Sequence, residues 1–274
     1  MLSSTPPASP DHDFVKFIES ASLEDAVITK TINDALEDSK HEAHPRLTQY
    51  QIDTYKREYP GGDSNTEWQR EYLCRIITES QLAVVPEFTP EIEKDVVAAW
   101  PRPPFYDAYV SMDVGFKDLT VVLFAFYDFI NGVLSIEDEL IMNGHEMTTD
   151  KLAQQIKMKE ASLWVNPLTH EQNKHYLRVS DNNLILINDL VKLHGLSFLP
   201  TRKDDKQSAI NELRMKINNR QIYINPKCKT LITHIRHATW DKTNKSTFAR
   251  SRDKGHYDAV DALAYLVRNV NYNK

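Results

Sequence analysis

Between residues 106 and 141 three β-rich runs follow one another with almost no chain between them. Tyr106 to Val114 alternates, Leu119 to Phe129 is densely apolar, and Val133 to Ile141 alternates again. Gly115 stands after the first run and Asn131-Gly132 after the second, and an Asn-Gly dipeptide supplies the left-handed residues of a tight hairpin turn. The pattern predicts three consecutive antiparallel strands. Downstream the period changes. Helices are expected from Thr148 to about Trp164, capped by Thr148 or Thr149, and from Leu184 to His194, closed by Gly195. Others follow over Asp205 to Ile217, Cys228 to His237 and Asp258 to Val270. Short strands are expected at Tyr176 to Ser180, Leu196 to Pro200 and Gln221 to Ile224, with a hairpin arm over Lys242 to Phe248.

A meander, a helix, then strands alternating with helices specify an α/β layered domain with a mixed sheet flanked by helices, the order of an RNase H-like fold. Upstream, residues 14–40 read as helix and strand pieces. A short helix over residues 46–60 opens at Thr48, Gly61 to Ser64 forces a turn, and a second helix runs from about Thr66 to Ile77. In Trp100-Pro-Arg-Pro-Pro104, three prolines within four residues can continue neither a helix nor a central strand. The domain border is placed there, giving 1–99 and 100–274.

The 274 residues include no apolar run of about 18, so no membrane span is expected, and residues 1–10 lack the features of a signal peptide. Two distant cysteines, Cys74 and Cys228, exclude a disulfide framework and a Cys-rich zinc site and suit a reducing cytoplasm. The net charge of -6 hides an asymmetry. Residues 1–100 carry 19 acidic and 9 basic side chains, whereas residues 201–256 carry 14 basic against 5 acidic. A local basic surface can meet phosphate whatever the chain total, although a basic stretch is as often a solvated surface.

The carboxylates carry the chemistry. Asp113 comes near the end of the first strand and Asp181 follows the short strand at Ser180. Taken alone, an aspartate at a strand end is commonly a cap or turn former. In a mixed α/β sheet, however, functional groups gather at the carboxyl ends of strands, so two such ends can bring two carboxylates together. Asp258 and Asp261 open the last helix, three residues apart and on one face, opposite the apolar face of Val260, Leu263, Ala264 and Val267. Stabilisation of the helix N-terminus is the competing role for both. Converging carboxylates repel one another unless cations neutralise them, and magnesium or manganese prefers such all-oxygen surroundings. Two such ions about 4 Å apart can stabilise both oxygens of a phosphodiester displacement.

Here the residues resemble a known family, the large subunit of tailed-phage terminases. The segment FARSRDKGHYDAVDALAYLVRNV resembles the family's last nuclease motif. DVGFKDLT, VSDNN, KDDKQSAINELRMKI and RQIYINPKC resemble further family segments, in family order. The resemblance implies an RNase H-like endonuclease with two Mg2+ or Mn2+ ions that cuts concatemeric double-stranded viral DNA before and after packaging. Asp113 and Asp181 match the first two motif aspartates. The third ligand falls at Asp258 or Asp261, both expected near the metals. The resemblance also implies a portal protein and a small terminase subunit as partners, and a phage- or prophage-encoded chain working in the host cytoplasm. At the front, LSSTPPASPDHDF resembles the segment coupling ATP hydrolysis to movement, and EWQREYLCRI and AVVPEF the run-out from the ATPase toward the nuclease. No G-x-x-x-x-G-K-[ST] loop occurs and the chain has only seven glycines. Residues 1–99 are therefore expected to be an incomplete C-terminal piece of a P-loop ATPase, with no ATP hydrolysis by this chain alone.

Accessory roles are expected around this centre. Asp118 either orients a metal-bound water or caps the turn. Lys203 contacts the scissile phosphate or is a solvated lysine. His256 shuttles a proton or is an ordinary turn histidine. Arg250, Arg252, Lys254, Lys242 and Lys245 are DNA-backbone contacts. Trp68, Trp100 and Trp240 read as packing residues. Two alternatives stay open: another RNase H-like enzyme of the resolvase or transposase kind, against which residues 1–95 count, and a non-catalytic remnant that binds DNA or a portal ring.

Overall fold

The computed structural model describes residues 13–22, 26–41, 45–59, 62–75, 82–115, 119–164, 176–202, 204–241, 247–249 and 257–273. The chain divides into two compact units, Met1–Ala83 and Val84–Lys274.

The first unit is helical: α1 (Asp13–Ser22), α2 (Ile32–Ser39), α3 (Gln49–Arg57) and α4 (Thr66–Glu71), with a 3-10 turn at Gly62–Ser64 before α4. The starts of α2, α3 and α4 each have a chemical cause. Thr31 with Asp34, and Thr48 with Gln51, form reciprocal capping boxes, and Asn65 accepts from the backbone N–H groups of Glu67 and Trp68. The 14–40 region forms two helices and no strand among its described residues. Helix α4 stops at Glu71, well short of the expected Ile77, and Cys74 three residues later takes a left-handed conformation at φ 52°. Its core is aromatic. Trp68 is buried and stacks on Tyr72 at 4.4 Å, with Tyr59 tilted against Trp68 and edge-on to Tyr72.

The second unit begins with α5 (Pro90–Val96), then β1 (Asp107–Asp113), β2 (Leu119–Asp128) and β3 (Val133–Asn143). After these come α6 (Thr149–Trp164), β4 (Leu177–Ser180), α7 (Leu184–His194) and β5 (Leu199–Pro200). The chain ends with α8 (Lys206–Asn218), β6 (Ile222–Ile224), α9 (Lys229–His237) and α10 (Asp258–Asn269). The strands form one mixed sheet in the order β5-β4-β1-β2-β3-β6. The meander is antiparallel, while β4, β5 and β6 add in parallel. This is the α/β mixed sheet flanked by helices that the sequence specified. Strand β2 is central and all but its first residue is buried, which explains its unbroken apolar run. Alternation sorts β1 between two cores. Ala108, Val110 and Met112 face α6 and α7, whereas Tyr109 joins the side formed with α5, α8, α9 and α10.

The border expected at Trp100–Pro104 falls inside this second unit. The prolines break the regularity of the chain but not its packing. Upstream of them, Val84, Val85, Phe88, Ile92 and Val96 sink into the same core as the sheet. Three ion pairs hold this stretch to the far end of the sequence: Glu87 to Arg214, Asp95 to Arg220 and Glu93 to Arg236. Helix α5 has Thr89 as its N-cap and Pro90 in its first turn, a start signal left unread in the sequence. Gly195 closes α7 at φ +67° as expected. Of the expected hairpin arm, Trp240 and Phe248 form an antiparallel bridge, and residues 242–246 lie outside the described residues.

Candidate active site

Strands β1 and β4 run side by side in parallel, with Ser111 opposite Val179 and Met112 opposite Ser180. The next residue on each is an aspartate. Asp113 ends β1, and the backbone N–H of Asp181 donates to the Met112 carbonyl at 3.2 Å, extending the ladder. Asp113 lies on the same face of its strand as Ser111, two residues before it. Ser111 Oγ donates to the carbonyl of Ala262 in α10 at 2.6 Å, so that face looks onto the first turns of α10. Asp258 and Asp261 lie in those turns. Asp113, Asp181, Asp258 and Asp261 thus line a single pocket of about 550 Å³. Three of them, Asp113, Asp181 and Asp258, are themselves buried.

The competing local roles are partly present as well. Asp181 Oδ1 accepts from the Asn183 backbone N–H at 3.3 Å, the turn-forming bond typical of an aspartate there. Helix α10 is buried on nearly every side. Asp258, Asp261, Tyr265 and Arg268 form a stripe at helical spacing along the pocket, while Val260, Leu263 and Val267 enter the core. Ala264 belongs to both sides.

Two helices present their N-termini here, and each is entered through a left-handed residue that is not glycine. Tyr257 precedes α10 at φ 60°, and Asp205 precedes α8 at φ 54°. Each conformation costs about 1–2 kcal/mol, and backbone strain of this kind clusters at functional sites. Asp205 recovers part of it by accepting the Ser208 backbone N–H at 3.0 Å.

Several pocket residues escaped the sequence reading. The Tyr265 hydroxyl donates to the Asp113 carboxylate. Burial, then the charges of Asp113, Asp261 and Asp181, push its phenol far above the ordinary value. Lys206 Nζ lies 2.8 Å from Asp261 Oδ1 and 2.9 Å from Oδ2. Arg268 donates to the carbonyls of Arg202 and Asp204 at 2.9 and 2.8 Å, pinning the loop that leads into α8. Tyr265 and Arg268 could have been found, since they stand four and seven residues after Asp261 on one helix face. Lys206 and Arg202 could not, because the loop's path brings them to the pocket.

Asp118, Lys203, His256, Arg250, Arg252, Lys254, Lys242 and Lys245 lie outside the described residues. Part of the basic 201–256 stretch has a structural use: Arg214, Arg220 and Arg236 serve the ion pairs to Glu87, Asp95 and Glu93. The charge asymmetry between the two ends of the chain is in that measure internal pairing. Arg202, Lys206 and Arg268 are the basic residues at the pocket itself.

For a divalent cation the donor set is right in kind, being carboxylate oxygen throughout. Among the described residues, no three His, Cys, Asp or Glu side chains are disposed to hold one ion, and Asp261 is closed on Lys206. The four carboxylates fit a cation by chemistry and by their shared pocket, and would have to draw in around it.

No protein-family model and no curated protein matches the chain. Solved structures do. A large terminase from a thermophilic bacteriophage superposes with a TM-score of 0.56 at 20% identity, over 97% of this chain and 60% of its own. The P22 large terminase nuclease domain gives 0.52 at 16% identity, over 67% of this chain and 89% of its own. The large terminase nuclease from thermophilic phage G20c gives 0.50 at 19% identity, over 69% of this chain and all of its own.

The fold is that of the phage large terminases. The chain spans about 60% of the length of the first of these three. Its six-stranded mixed sheet is RNase H-like, as in the large-terminase nuclease domains. Among the described residues no helix is long and apolar enough to cross a membrane.

Proposed function

We propose that this chain is a divalent-metal-dependent endonuclease that cuts concatemeric double-stranded viral DNA during genome packaging. One observation carries the reading: Asp113, Asp181, Asp258 and Asp261, from two strand ends and one helix, line one pocket. The large-terminase fold and the nuclease domains that share it support the same reading. Residues 100–274 would form the nuclease and residues 1–99 the end of an ATPase region, whose last stretch, with Val84, Val85, Phe88, Ile92 and Val96, packs on the nuclease core. The work would be done in the host cytoplasm, with a portal protein and a small terminase subunit as partners.

The four aspartates would hold two Mg2+ or Mn2+ ions, with Asp258 and Asp261 sharing the third ligand position. When bound, such ions neutralise the carboxylates and stabilise charge on the attacking and leaving oxygens of a phosphodiester. The chain's own residues do the rest. The β1–β4 ladder holds two carboxylates in register, and Tyr265 fixes the orientation of Asp113 through its hydroxyl. Arg202 and Arg268 place positive charge at the pocket, where a DNA backbone would approach. Arg250, Arg252, Lys254, Lys242 and Lys245 would extend that surface, and Asp118, Lys203 and His256 would assist at the centre.

Plasmid cleavage with magnesium, manganese or chelator tests the reading. Cutting that needs the metal and is lost in Asp113→Ala and in Asp181→Ala is the expected result. A folded wild-type chain that cuts with neither metal would overturn it in favour of a DNA- or portal-binding role.

A further inference from the structure

We propose that Lys206 is a built-in counter-cation, which holds Asp261 in the metal-free protein and is exchanged for a divalent ion when one binds. The inference rests on the metal-dependent reading of the pocket. The Lys206 ammonium bridges both oxygens of Asp261 at 2.8 and 2.9 Å and so occupies the two-oxygen side of the carboxylate that a chelated ion would take. The same ammonium sits 3.4 Å from the centre of the Phe248 ring, whose face attracts cations. The pair is sheltered, with side-chain exposures of 26% and 14% for Lys206 and Asp261. It is therefore held more firmly than a surface ion pair, which solvent and salt would weaken.

Nothing in α8 itself favours a lysine at this position. Lys206 is the first residue of the helix, where the partial positive charge of the N-terminus opposes a cation. The preceding Asp205 is left-handed at φ 54°. Arg268 secures the same loop through the carbonyls of Arg202 and Asp204. The chain accepts an unfavourable helix position and a strained cap, and the result is one ammonium over Asp261. Four carboxylates in a common pocket repel one another without counter-charge; Arg202 and Arg268 bring some to the pocket, and Lys206 supplies it directly at Asp261. Its hold is electrostatic, so a doubly charged ion can displace it. Metal binding must then first break the Lys206–Asp261 pair. The site binds metal more weakly than the same carboxylates would alone, which guards it against premature loading.

Calorimetric titration of Mn2+ into the whole chain without DNA tests this. Wild type is compared with Lys206→Met, Lys206→Arg and Asp181→Asn. Lys206→Met keeps the apolar stem over Phe248 and loses the charge, so it should bind Mn2+ about tenfold more tightly. Lys206→Arg keeps the charge and should bind as wild type does. Without metal, Lys206→Met should melt below wild type, and Mn2+ should restore it. Lys206→Gln gives the same comparison should Lys206→Met not fold. Equal or weaker binding by the uncharged variant, or equal tightening in Lys206→Arg, overturns the exchange. The two readings fail separately. Binding that is lost in Asp181→Asn but indifferent to residue 206 leaves the metal site standing and removes only the role of Lys206. No Mn2+ binding by wild type or by any Lys206 variant overturns both.

Discussion

Ser111 and Ala262, 151 positions apart in the chain, are joined by a hydrogen bond of 2.6 Å from the serine hydroxyl to the helix carbonyl. This contact ties the first turns of α10 to β1, beside the apolar packing that buries the helix. Two residues beyond Ser111 comes Asp113, and one residue before Ala262 comes Asp261. The bond therefore lies between the strand-end aspartate and the helical pair.

Ser111→Ala should lower stability by about 0.5–1.5 kcal/mol, because a buried hydroxyl bond is lost while the helix keeps its own ladder. Urea denaturation measures it as a lower midpoint at unchanged slope. An unaltered midpoint would show that the bond does not hold α10.

Tyr265→Phe removes one hydroxyl and little volume. Its hydrogen bond to Asp113 goes to a charged group, worth about 1.5–3 kcal/mol, so metal-dependent cleavage should fall roughly ten- to a hundredfold. The circular dichroism spectrum and melting profile should stay close to wild type. Full activity in a folded Tyr265→Phe chain would remove the tyrosine from the site.

Arg178 on β4 and Glu160 on α6 form a buried two-pronged pair at 2.6 and 2.7 Å, beneath the strand that delivers Asp181. Arg178→Met alone should cost about 3–5 kcal/mol, because it strands a buried carboxylate. Combining it with Glu160→Leu should recover much of that loss. A double-mutant cycle in denaturant measures the coupling, and simple additivity of the two changes would contradict it.

Glu87 sets a pH dependence. Burial pushes its carboxyl up, but the hydrogen bond from Arg214, that from its own backbone N–H and the guanidinium charge together outweigh this and hold it below its ordinary value of 4.5. A carboxyl depressed on folding stabilises the native state above that ordinary value, and the gain fades as pH falls through the lower folded value. Glu87→Gln should therefore be less stable than wild type near neutrality, with the gap closing below pH 4.5. Denaturation midpoints across that range decide it, and a gap constant with pH would rule out Arg214 as the cause.

Much of the fold was legible in local pattern. The meander is written in alternation and in one Asn-Gly turn, and its three strands appear where those signals put them. Gly195 and Thr48 mark helix ends by chemistry that acts within a few residues, and both end or start their helices as expected. The prolines at 101, 103 and 104 interrupt regular structure, and this is a separate matter from where a core ends.

The sequence by itself determined the kinds of element, their order and the aspartates placed at strand and helix ends, because turn, cap and alternation preferences are local. It also made Tyr265 and Arg268 available on the Asp261 face. Only the tertiary structure decided that β1 and β4 lie in parallel register, that α10 settles on Ser111, and that Lys206 reaches Asp261. It also decided that Arg214, Arg220 and Arg236 answer to acids more than a hundred residues away. Those facts depend on which surfaces exclude water from one another and on charges brought together by that exclusion, and neither is encoded at any single stretch of the chain.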